Sequence, residues 1–170
     1  MSHLMYRASV PVFTRTLGNL AEILRKAAAH AQARKIDPAV LVNARLFPDM
    51  LPLSRQVQIA TDHAKNSSSR LAAAERPAFE DNETTFDELQ ARIAKTIAYV
   101  NSLDAARFDG SDERDITLPI SGTDVQLKGS DYLFGFVHPN FYFHVTTAYA
   151  ILRESGIEIG KTDFIGAMPT

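Results

Sequence analysis

The sequence predicts an all-α protein, a four-helix bundle with a long helix 3–helix 4 connection that carries a small β-hairpin. Four long segments repeat apolar residues at three- and four-residue spacing, as a helix with one buried face requires. Capping and turn residues punctuate the ends of those segments. A fifth stretch alternates apolar and polar residues over a length suited to two short strands. The 170 residues suit one domain spanning the whole chain, and 45% hydrophobic with 22% charged residues is enough apolar material for a core without staples.

The first helix is expected over residues 4–34, where Val10, Phe13, Leu17, Leu20 and Leu24 mark one face. Pro11 lies inside it, lacks an amide and frees the carbonyl of Arg7, so a bend is expected there. A short helical piece over 38–44 follows KIDP and leads into the loop LFPDMLP. Pro52 suits the first turn of a second helix reaching about residue 74, with a seam of Leu53, Val57, Ala60, Ala64 and Leu71. After the loop ERPAFEDNET, Thr85 and Glu88 form a capping box for a third helix over 86–103. Its buried face is Phe86, Leu89, Ile93, Ile97 and Val100. In the connection, Ile116, Leu118 and Ile120 alternate with polar residues, and Ser121-Gly122-Thr123-Asp124 reads as a turn before Val125 and Leu127. Pro119 falls on the outward set, as an edge strand allows. The fourth helix is expected from Ser130 or Asp131 to residues 153–155, with Gly156 as its left-handed stop. The tail IEIGKTDFIGAMP is apolar enough to pack back on the bundle. A long connection of this kind permits two consecutive helices to lie parallel.

Composition excludes several function classes. A net charge of −2 implies no general attraction to nucleic acid or to an acidic membrane. The absence of cysteine removes disulfides, thiolate nucleophiles and zinc–thiolate sites, and it fits a reducing cytoplasm. The N-terminal residues carry no signal-peptide pattern, which points to a cytoplasmic location. Residues 132–152 lack Asp, Glu, Lys and Arg over a length that could cross a bilayer, but they contain two His, a Pro, an Asn and two Thr. An all-round apolar helix in the middle of a soluble bundle explains the run better than a membrane span. No phosphate loop, G-x-S-x-G elbow, H-E-x-x-H motif or calcium loop is present. Ser67, Ser68 and Ser69 read as a small, tightly packed or solvated patch.

Chemistry therefore centres on histidines. His144 follows the seam of the fourth helix with Val137, Phe141, Val145, Ala148 and Leu152, so its ring should point inward. A buried imidazole needs partners, which can be a side chain, a water or a metal. His138 lies about 120° away around the helix and cannot share one ion with His144; beside Pro139 it reads as a partly exposed polar position at a kink. Asn140, four residues before His144, shares its face and is either a hydrogen-bond partner or a weak oxygen ligand. His63, on the flank of the second-helix seam, could reach the bundle centre or face water. His3 and His30 carry no assignment. If an ion is held, His63 and His144 must converge, with ring nitrogens within about 3–4 Å, and rings more than about 8 Å apart would exclude it.

The segments MYRASVPVF, FEDNETTFDELQARIAKT, PNFYFHVTTAYAILR and GKTDFIG resemble a bacterial family, domain of unknown function 1993, of the DinB/YfiT-like metalloenzyme superfamily. The resemblance covers nearly the whole chain and implies a DinB-like four-helix bundle. In that superfamily one histidine of the second helix and two of the fourth hold a divalent ion, and some members transfer thiols such as bacillithiol, mycothiol or glutathione. Here His63 stands on the helix of the first ligand and His144 on that of the others. Asn140 and Ala148 stand where a paired histidine is expected. The resemblance thus implies either a bundle that binds a small ligand or self-associates, with a degenerate metal site, or a metal-dependent enzyme such as an S-transferase. In the second case His63, Asn140 and His144 would hold zinc or nickel. Superfamily resemblance also implies a homodimer.

Overall fold

The computed structural model describes residues 3–120 and 122–167; Ser121, expected in the hairpin turn, lies outside them, as do the chain ends. Helix α1 spans Leu4–Arg34, the expected bounds, and Lys35 ends it in the left-handed region with its N–H on Ala31 and Gln32 carbonyls. A short helix α2, Pro38–Val42, is capped by the Asp37 side chain. Helices α3 (Leu53–Leu71) and α4 (Phe86–Asn101) follow, with Pro52 standing just before α3 and the Thr85–Glu88 capping box formed. A 3-10 turn at Ala105–Phe108 leads to the antiparallel strands β1 (Asp115–Ile120) and β2 (Thr123–Lys128). Ile120 pairs with Thr123, so Thr123 and Asp124, expected in the hairpin turn, belong to β2. Gly122, at φ 81°, supplies the positive φ such a turn demands.

The fourth helix is interrupted at the kink expected beside Pro139, in a form the spacing does not predict. A single turn α5 (Gly129–Asp131) passes into a π-helical segment, Tyr132–Val137, and only then into α6 (His138–Glu154). Pro139 explains the break. It cannot donate the amide that would close the preceding turn, and a widened π register redistributes the loss over several residues. Asn140 reinforces the junction by donating its side-chain amide to the Phe136 carbonyl at 2.7 Å. Gly156, at φ 87°, then stops α6 as expected, and the tail forms α7 (Lys161–Ile165) against α1. There Asn19 donates to the Phe164 carbonyl at 3.0 Å, and Lys26 pairs with Asp163 at 2.6 Å.

Contacts that advance together along two helices give their directions. Arg92 reaches Thr61 and Tyr99 reaches Ser69, so α4 runs parallel to α3. His144 reaches Gln56 and Arg70 reaches Tyr132, so α6 opposes α3. His138 reaches the Ala8 carbonyl and Phe141 packs on Phe13 with ring centres 4.9 Å apart, so α6 runs with α1. The parallel consecutive pair is therefore α3–α4, not the pair flanking the hairpin connection. The segment that makes this possible is residues 72–85, which run back along the bundle.

That return is held by charge. Arg92, its side chain 1% exposed, bonds to Asp62, Asp81 and Glu83, each at 3.0 Å, and to the Glu80 carbonyl. Lys65, 4% exposed, also meets Asp62, and its ammonium lies over the Phe79 ring. The family-resembling stretch FEDNET is thus a strap tied to a buried cation. The apolar core is one continuous cluster, with Phe13, Leu17, Leu20, Leu24, Leu53, Val57, Leu89 and Phe141 almost fully buried. Each such side chain contributes about 1.5–3 kcal/mol relative to exposure. Ile97, expected in the α4 seam, is only partly buried because the face turns towards Arg92 and Thr96.

Candidate functional site

Residues of α3, α6, the π segment and the hairpin meet along the stretch of α3 from Ile59 to Arg70. His63 and His144 converge there from antiparallel helices, their ring centres 5.9 Å apart and their planes inclined by 19°. That separation is shorter than the roughly 8 Å beyond which a shared ion is excluded. Both rings are half-buried, so neither stands in bulk solvent. Phe136 packs edge-on against His63 at 6.0 Å, and Phe143 edge-on against His144 at 5.2 Å.

The partner of His144 is Gln56, a residue to which the sequence reading gave no role. His144 Nδ1 lies 2.7 Å from Gln56 Oε1, while the Gln56 amide nitrogen donates to the Leu51 carbonyl at 3.0 Å. With its NH₂ committed to a carbonyl, Gln56 presents oxygen to the ring, so Nδ1 carries the proton. His144 Nε2 is then a bare lone pair. Gln56 could have been found by spacing, since it precedes His63 by seven residues and falls within about 20° of the same face of α3.

The other candidates separate. Asn140 spends its NH₂ on the backbone of its own helix, which leaves only Oδ1 to face any ligand. His138 lies with its Nε2 2.9 Å from the Ala8 carbonyl of α1. It ties α6 to α1 and sits among Phe13, Phe134 and Tyr142, half-buried as expected and away from His63. Ser67, Ser68 and Ser69 are fully buried in α3; Ser67 and Ser69 return their hydroxyls to α3 carbonyls.

Burial lowers all three histidine pKa values. His63 falls to about 4, through desolvation first and the adjacent His144 second, with Asp62 opposing and Arg70 adding to the fall. His144 is lowered by burial, and His138 by burial against the opposing Ala8 hydrogen bond. At neutral pH each presents an uncharged imidazole.

A cleft of about 280 Å³ opens beside His63. Its polar lining is Asp62, His63, Asn66, Arg70 and the Tyr132 hydroxyl; its apolar walls come from Ile59, Phe136 and the hairpin residues Leu118, Pro119 and Ile120. The hairpin expected from alternation is thus one wall of the site. As a metal centre the donor set is thin: among the described residues no three His, Asp or Glu side chains converge on one point. Asp62 is already bonded to Arg92 and Lys65, both at 3.0 Å. What the residues supply to an ion is two neutral imidazoles and at most an amide oxygen.

With this geometry established, comparison with known proteins decides the family. The profile described as Domain of unknown function (DUF1993) matches residues 5–165. The chain belongs to that family. A crystal structure of a DinB family member protein from Shewanella denitrificans is 41% identical, with a TM-score of 0.92 over 98% of this chain and 94% of that one. Among curated proteins, none matches the chain significantly. The family is therefore DinB-like, and its fold is the helical bundle with a small antiparallel hairpin described above. No helix of the described residues is long and apolar enough to cross a membrane.

Proposed function

We propose that this DinB-like protein is a non-catalytic binding bundle that takes a small molecule in the cleft beside His63, with the His63–His144 pair as a reduced form of a metal centre. The observation that carries this reading is the meeting of His63 and His144 at 5.9 Å on the edge of a cleft, with a glutamine on one of them and no third strong ligand among the described residues. Two imidazoles and an amide form a weak shell for zinc or nickel. A cleft with apolar walls and a few convergent polar groups is the ordinary form of a small-ligand site, and its volume is at the small end of the range. The test is a search for saturable ligand-induced shifts in the amide resonances of Asn66, Arg70, Tyr132 and Phe136, with elemental analysis of tag-free protein alongside. Saturable shifts without bound metal support the reading; stoichiometric metal overturns it.

A second reading is favoured by one feature, the Gln56 contact that leaves His144 Nε2 as a free lone pair. A ligating histidine commonly has its other nitrogen oriented by such a partner. In that reading His63, His144 and Asn140 hold a divalent ion, which would lower the pKa of a bound thiol or water and serve a thiol transfer. Self-association belongs to the first reading. Phe134 of the π segment and Tyr142 and Phe143 of α6 are exposed at 48%, 39% and 57%, and we propose that these aromatic side chains join two copies in a homodimer. A cytoplasmic location is proposed with it, on the absence of cysteine.

A further inference from the structure

Four arginines gather where α3 ends, and they are not employed alike. Arg107 donates to the Ala72 and Ala73 carbonyls at 3.1 and 3.0 Å. Arg114 donates to the Leu71 carbonyl, and the two together satisfy the open C-terminal carbonyls of α3. Arg76 does not line the cleft. Arg70 does line it, and the only side chain to which its guanidinium donates among the described residues is the Tyr132 hydroxyl, at a long 3.3 Å. No Asp or Glu of the described residues pairs with it. The one carboxylate in the cleft lining, Asp62, is neutralised from the other side by Arg92 and Lys65. The cleft therefore has one uncompensated charge, and it is positive.

A guanidinium offers five N–H donors in a planar fork that fits a carboxylate two bonds at a time. Arg70 uses one weakly. Around it stand Asn66, which adds an amide, and the Tyr132 hydroxyl; opposite are Phe136, Leu118, Pro119 and Ile120. We infer that the cleft binds a small carboxylate with a flat apolar body, its anionic head on Arg70 and its body between Phe136 and the hairpin. This rests on the small-molecule reading above and names the ligand class for the same site. Arg70 would act as a binding residue and set the preference for charge.

Benzoate and its neutral isostere benzamide are suitable probes, titrated at constant ionic strength into ¹⁵N-labelled full-length protein. Benzoate is expected to shift the Asn66, Arg70, Tyr132 and Phe136 amides saturably and to bind at least about tenfold more tightly than benzamide, as a charge-assisted pair at a partly desolvated site should. Arg70→Gln is expected to remove that preference, bringing the affinity for benzoate down to about that for benzamide. The wild-type comparison stands by itself if the variant folds poorly. Equal affinity for the two probes, both at the cleft, overturns the carboxylate inference and leaves the small-molecule reading intact. Shifts by neither probe up to millimolar concentration overturn both.

Discussion

At pH 7 His63 is uncharged, because burial and its neighbour His144 hold its pKa at about 4, well below the ordinary 6.5. The unfolded chain takes up its proton near pH 6.5, whereas the folded protein resists until about pH 4. The stability His63 contributes is therefore complete above pH 6.5 and is lost as pH falls to 4, by at most about 3 kcal/mol. His144 and His138 are shifted in the same direction and add to the loss. Urea unfolding between pH 7.5 and 4 should show this decline, and His63→Gln should flatten it; an unchanged slope in the variant would refute the assignment. Replacing His144 by Ala leaves Gln56 Oε1 unpartnered and a small cavity, so a cost of about 1–3 kcal/mol is expected in the same measurement. The inward direction of His144 was legible from seam spacing alone. Its partner was not, because Gln56 is one of many polar residues on α3 until α6 is laid beside it.

Among the elements, the strap of residues 72–85 and the π segment matter most to how the site is built. Arg92 faces three carboxylates, and its removal would leave Glu83, 10% exposed, without a cation, whereas the more open Asp62 keeps Lys65 and Asp81 keeps Arg55. Arg92→Ala should cost about 3 kcal/mol, towards the lower end for a broken buried pair because two of the partners reach water. It should also loosen residues 79–83, which hydrogen exchange would detect as early exposure; slow exchange there would argue that the strap is held by Phe79, Arg55 and Gln58 without Arg92. At the π segment, Asn140→Ala removes the amide that bonds the Phe136 carbonyl and should cost about 1 kcal/mol in chemical denaturation. Helix positions and caps were readable because periodicity and capping chemistry are local. The π segment was not, since Pro139 announces a disturbance without saying how the backbone absorbs it. Nor was the strap, whose polar residues look like an ordinary loop until Arg92, on the same face of α4 as Leu89 and Ile93, is found buried with them.

For the whole molecule, the direction of the helices is what brings His63 to His144. With α6 opposing α3, the π segment and the hairpin lie against the stretch of α3 from Ile59 to Arg70, and the cleft forms between them. The bundle and hairpin could be inferred from sequence, but the parallel pair flanks residues 72–85 and not the long connection that permitted one, because loop length only allows a return and long-range ion pairs decide which loop makes it. The proposed dimer should sediment near twice the 18.8 kDa chain mass at tens of micromolar, and Phe143→Glu should return it to the monomer; a monomer mass for the unaltered protein would refute it. The central claim is that the His63–His144 pair edges a ligand cleft and is not a working metal centre. Equilibrium dialysis of tag-free protein against nanomolar free zinc or nickel, read by elemental analysis, tests it most directly. The account predicts far less than one ion per chain, unchanged in His144→Ala; one tightly held ion per chain, lost in that variant, would contradict it.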